Sequence, residues 1–230
     1  MSNSRYRQDI QGLRAIAVLA VIIFHLNPAW LPGGFVGVDI FLVISGFLIG
    51  SILLHKKTQP DYQLLTTLNY FYTSRIKRIA PAYFTMLILV SVLAAVLFLP
   101  ADFATYRDGL AKAAYFNSNS YFASFGDYFA PASYEQPLLH TWSLAIEIQF
   151  YLLAPFMFLL LPRRFLGWVL SLSILCLTAY AEYQLRILGN EQATYYSLIA
   201  RLPALLLGAW VALLIEKSNN IMVGVIKSYG

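Results

Sequence analysis

The sequence predicts an all-α fold: a polytopic bundle of about six membrane-spanning helices with a cytoplasmic N-terminus. Three observations point there. The chain is 59% hydrophobic and only 12% charged, against roughly a quarter charged in an ordinary soluble domain. Runs of about 20 mostly apolar residues, the length that crosses a hydrocarbon core, recur along it. Basic residues gather in alternate gaps between these runs, as they do in the cytoplasmic loops of membrane proteins.

Taken in order, the spans are expected at 12–30, 36–54, 80–99, 140–161, 165–183 and 196–215. Arg5 and Arg7 precede the first. His55, Lys56 and Lys57 follow the second, and Arg75, Lys77 and Arg78 precede the third. Arg163 and Arg164 separate the fourth from the fifth, and Lys217 follows the sixth. With the N-terminus inside, all of these fall on the cytoplasmic side. The segment 100–139 holds only Arg107 and Lys112 as basic residues and is rich in aromatics, Asn and Ser. It reads as an external loop with short helices at the interface. After "EKSNN", the stretch "IMVGVIKSYG" starts apolar but is too short to span.

Composition also excludes several classes. The single cysteine, Cys176, cannot form an intrachain disulfide, and no Cys/His cluster suggests a metal. The net charge of +5 comes from loops between apolar runs, so no nucleic acid is expected. The first apolar run lacks a small-residue cleavage site and is followed by further spans, unlike a signal peptide.

Ionisable residues inside the spans are the candidates for chemistry. Arg14 and His25 lie on nearly the same face of one helix, about 16 Å apart along its axis. They suit either interface anchors or two ends of a polar cavity. Asp39 follows the "PGG" turn early in the second span. It suits a helix N-terminus electrostatically, or a partner for His25 across the short outer turn. Ser45 and Gly46 read as small residues that allow close helix packing. Arg75 and Arg78 are neighbours at i, i+3, with Lys77 between them, and would suit phosphate groups. In "PLLHTWSLAIEIQFYLLAPF", His140, Ser143 and Glu147 are spaced for one helix face, and Glu147 falls well inside the span.

Four of these stretches, "DIQGLRAIAVLAVIIFH", "PGGFVGVDIFLVISGFLI", "RIKRIAPAY" and "PLLHTWSLAIEIQFYLLAPF", occur in the order in which they resemble the N-terminal part of the integral-membrane acyltransferase type-three (OafA-like) family. "YYSLIARLPALLLGAW" is a fainter match. The resemblance implies a multi-pass protein of the bacterial inner (cytoplasmic) membrane, in contact with lipid. It would move an acyl group, expected to be acetyl, from cytoplasmic acyl-CoA to a hydroxyl of a cell-surface glycan such as lipopolysaccharide or exopolysaccharide, without a metal. It also implies that His25 and Arg14 are catalytic, with Glu147 or Asp39 orienting His25, and that Arg75, Arg78 and Lys77 hold the nucleotide phosphates. Ala204 departs from the family pattern, where an acidic residue is common. Full members have more spans, so residues 1–230 are expected to be a single acyltransferase domain incomplete at its C-terminus. A transporter using the same polar residues, or an inactive remnant, are the competing readings.

Overall fold

The computed structural model describes residues 8–124 and 136–228, with side chains described as far as Ser218. Arg5, Arg7 and residues 125–135 of the expected external loop lie outside the described residues. Among those described the chain is helical, without strands. Six helices are long and apolar enough to cross a membrane.

Helix α1 is Gln8–Leu26. It ends about four residues before the expected span does, because Pro28 disfavours helical backbone at the residue before it and lacks the N–H that the next turn needs. A short 3-10 turn, Gly34–Val36, leads into α2, Gly37–Lys57. Helix α3, Leu64–Leu97, is much longer than the expected 80–99 and runs through Pro81. At about 1.5 Å per residue its polar first half adds some 24 Å ahead of Ala80. Apolar-run counting misses this half because it is held by hydrogen bonds and a few buried residues. Thr67 and Phe71 are buried, and the Tyr72 hydroxyl donates to the Leu152 carbonyl at 3.1 Å.

Residues 100–124 form α4, Pro100–Ala114, and α5, Ser118–Ala123, neither of span length. They are bound to the bundle by polar contacts. Tyr83 donates to Ala113 O at 2.9 Å, Ser91 and Tyr106 bond at 2.8 Å, and Gln149 donates to Phe116 O at 2.8 Å. Helix α6 is Thr141–Leu160 and α7 is Arg163–Arg186. Tyr196, expected to open the sixth span, belongs instead to a separate short helix α8, Glu191–Tyr196. Helix α9, Leu198–Ser228, continues past the expected 215.

Helix α2 is the centre of the bundle, packed most extensively on α9 and also on α1 and α6, while α7 packs on the far side of α9. Lipid is as apolar as a leucine side chain, so close backbone approach rather than hydrophobicity must hold such helices together. Gly46 and Gly208 supply it. A Cβ on Gly46 would sit 1.8 Å from Leu205 O, and one on Gly208 would sit 1.9 Å from Val43 O. At one end of the bundle, basic side chains cap helices. Lys57 donates to Phe158 O at 2.9 Å and Leu161 O at 2.7 Å, at the C-terminus of α6. Arg163 bonds Leu54 O at 3.1 Å and Glu216 at 2.6 Å, tying α2, α7 and α9. Much of the outward apolar surface, such as Ile16 and Leu19 on α1 or Leu172 and Leu175 on α7, stays exposed, as a lipid-facing surface requires.

Candidate active site

Helices α1, α2 and α6 enclose a cleft of about 340 Å³. Its polar lining is Arg14 from α1, Ser45 from α2, and Ser143 and Glu147 from α6. The remainder is apolar, including Val18, Ile22, Phe41 and Leu42. Arg14 and Glu147, 133 positions apart in sequence, are thus brought to one cavity by the packing of α1 and α6 on α2. Among the described residues, nothing accepts a hydrogen bond from the Arg14 guanidinium, which leaves its donors available to whatever enters the cleft.

Glu147 is held from two sides. The Ser45 and Tyr151 hydroxyls both donate to its Oε1. Tyr151 is one turn further along α6 and 7% exposed. Behind it lies Arg75, whose guanidinium carbon is 5.6 Å from the Tyr151 ring centroid and 5.4 Å from that of Phe71. The buried Arg75 Nε has no hydrogen-bond partner. Two hydroxyl donors thus converge on one carboxylate oxygen, with a guanidinium behind them. Ser45, expected to serve helix packing, is therefore a component of this cluster, while Gly46 does make the close helix contact. The expected basic triad is divided: Arg75 points into the bundle, and Lys77 and Arg78 are exposed.

His25 is exposed and continues the α1 stripe that lines the cleft, one turn beyond Val21 and Ile22. Its Nδ1 lies 2.8 Å from Val21 O. A carbonyl oxygen only accepts, so in the neutral ring Nδ1 carries the proton and Nε2 keeps its lone pair. Asp39 does not meet His25. It accepts from Arg201 at 2.7 Å, with both side chains mostly buried. Arg201 also donates to Tyr195 O at 2.9 Å and stacks on the Tyr195 and Trp142 rings at 4.4 and 5.7 Å. Asp39 is thereby a clamp between the first turns of α2 and α9. His140 precedes α6 as its N-cap and stays exposed, so the helix face carries Ser143, Glu147 and Tyr151 instead.

Tyr151 and Arg201 went unseen in the sequence, and Ser45 was read only as a packing residue. Tyr151 had the signal of i+4 spacing from Glu147, and Arg201 that of a charge inside an apolar run. Ser45 had none beyond its hydroxyl. Among the described residues, no group of three or more His, Cys, Asp or Glu is placed to hold a metal ion.

The sequence is similar to that of known proteins. In Staphylococcus aureus (strain MSSA476), the protein named "Putative O-acetyltransferase SAS0844" is 40% identical over 220 residues, 91% of this chain and 35% of its own length. O-acetyltransferase OatA of S. aureus (strain NCTC 8325 / PS 47) is 37% identical over 221 residues, 92% of this chain and 35% of its own. The chain thus spans about a third of the length of the curated relatives it matches. No solved structure gives a significant match. The family described as an acyltransferase domain matches residues 7–221, nearly the whole chain, and the chain belongs to that family.

Proposed function

We propose that this chain provides the donor side and the base of a membrane O-acyltransferase. The enzyme would move an acyl group, in the first place acetyl, from cytoplasmic acyl-CoA to a hydroxyl of a cell-surface glycan. The observation that carries the reading is the cleft shared by Arg14, Ser45, Ser143 and Glu147, with His25 on the same stripe of α1. The names of the relatives, O-acetyltransferases, support the acyl group. The basic residues between spans support a cytoplasmic N-terminus and a multi-pass place in the bacterial inner membrane.

In this mechanism the free Nε2 of His25 takes the proton of the acceptor hydroxyl as its oxygen attacks the thioester carbonyl. The Arg14 guanidinium faces the carbonyl and stabilises the oxyanion that forms. As the intermediate collapses, the carbon–sulfur bond breaks, the ester forms, and the CoA thiolate takes the proton back from the imidazolium. Glu147, fixed by Ser45 and Tyr151, supplies a hydrogen-bond acceptor that orients the substrate in the cleft. Asp39 holds α2 in register through Arg201. Arg78 and Lys77, exposed midway along α3 just ahead of its apolar half, meet the nucleotide phosphates, and Arg75 links that surface to Glu147.

The test is His25→Ala, made in the gene as it occurs in the cell. General-base removal should lower glycan O-acetylation by about 10²–10⁴-fold, read by mass spectrometry of surface glycans. Normal membrane levels with full O-acetylation would overturn the base assignment. Uptake of a solute into proteoliposomes without acyl-CoA would favour a transporter instead.

A further inference from the structure

A second large cavity shares no lining residue with the acyl-transfer cleft. It is an open groove of about 680 Å³ between α7 and α9. Its floor is apolar, formed by Trp210, Leu213 and Leu214, and its wall is Trp168, 79% exposed. Arg164 and Lys217 stand at its rim. These two cations come from antiparallel helices at one level: Arg164 is the second residue of α7, and Lys217 directly follows Glu216 on α9. The Arg163–Glu216 ion pair at 2.6 Å joins the helices at that same level. It also uses up the only acidic charge lining the groove, which leaves a surplus of positive charge on Arg164 and Lys217. Among the described residues, neither of these two has a carboxylate or carbonyl partner.

We infer that this groove binds an anionic phospholipid, its headgroup phosphate between Arg164 and Lys217 and one acyl chain along Trp168, Trp210 and Leu213. The charge is complementary, and the level is the membrane interface, where indole rings and basic side chains meet headgroups. A bare inorganic anion would use the rim but leave the apolar floor wet. A zwitterionic lipid would use the floor but bring its own cation to a cationic rim. The site is independent of the acyl-transfer reading and stands or falls without it.

Trp168 and Trp210 report on the groove directly. The protein is reconstituted in phosphatidylcholine vesicles containing a small fraction of either brominated phosphatidylglycerol or brominated phosphatidylcholine, and indole quenching is compared. The expected result is stronger quenching by the anionic lipid, matching a roughly tenfold or greater local enrichment for two basic residues near the headgroup. The excess should vanish in Arg164→Gln/Lys217→Gln, whose exposed side chains hold no helix in place, and in Trp168→Phe/Trp210→Phe, which retains Trp30 and Trp142 as emitters. Equal quenching by the two lipids, or an excess that survives Arg164→Gln/Lys217→Gln, would overturn the inference. So would displacement of the excess by inorganic phosphate, which marks a free-anion site. Absence of quenching by either lipid would show the groove covered by protein, a second copy or further chain, and would also overturn it.

Discussion

Tyr151→Phe removes one oxygen atom from the interior of the bundle. That hydroxyl and the Ser45 hydroxyl share Oε1 of Glu147. Tyr151 is 7% exposed, so little water reaches the space its hydroxyl leaves. A phenylalanine ring would keep the edge contact to Phe71, at 6.4 Å, and the cation–π contact to Arg75, at 5.6 Å, so packing is conserved. The loss is then one hydrogen bond to a charged group, about 1.5–3 kcal/mol. For a chain of this size each kcal/mol shifts the midpoint by roughly 2–4 °C, so the melting temperature should fall by about 3–12 °C. The same change in a Glu147→Gln background removes only a neutral hydrogen bond and should cost about 1 kcal/mol. The cycle would thus show a coupling of about 1 kcal/mol between the Tyr151 hydroxyl and the Glu147 charge. Thermal melts of the detergent-solubilised protein, followed by intrinsic fluorescence, measure all four corners. An unchanged or raised midpoint for Tyr151→Phe, or equal losses in both backgrounds, would refute a Glu147 carboxylate held by two hydroxyls.

Three further outcomes follow from the same geometry. Asp39→Asn should cost about 2–3 kcal/mol by stranding the mostly buried Arg201, and the exchange Asp39→Arg/Arg201→Asp should recover part of it in thermal melts. No recovery would argue that the clamp is not the main role of Asp39. Gly46→Leu should prevent α2 and α9 from docking, since even a Cβ there would lie 1.8 Å from Leu205 O. The variant should aggregate or elute early in size-exclusion chromatography, and a normal monodisperse profile would contradict the packing. Arg78→Ala should weaken acyl-CoA binding by calorimetry with an unchanged melting temperature, whereas Arg75→Ala should lower the melting temperature because its guanidinium packs between Phe71 and Tyr151. Equal effects on both quantities would remove the division between a surface and an interior arginine.

How far the sequence reaches depends on the range of the interaction. Arg14 and Glu147 stood out because a charge in an apolar run violates a local rule, and the structure sets both on one cleft. Asp39 stood out for the same reason, yet its neighbour in sequence, His25, proved a poor guide to its partner. The partner is Arg201, 162 positions away. Which of several polar residues pair is decided by the contact of α2 with α9, and that contact depends on the facing of Gly46 and Gly208, which no single helix encodes. The first half of α3 shows the opposite limit. It is helical without being apolar, so a search for greasy runs passes over it.

By itself the sequence determined that the chain forms spans, about where they fall, and which ionisable residues sit within them. These follow from the transfer of each residue into lipid, a sum over neighbours along the chain. Only the tertiary structure decided that Ser45 and Tyr151 hold Glu147, that Arg201 takes Asp39, and that Arg75 leaves the surface. In the low-dielectric interior every polar group needs a partner, and the partner is whichever group the packed helices bring within hydrogen-bond reach.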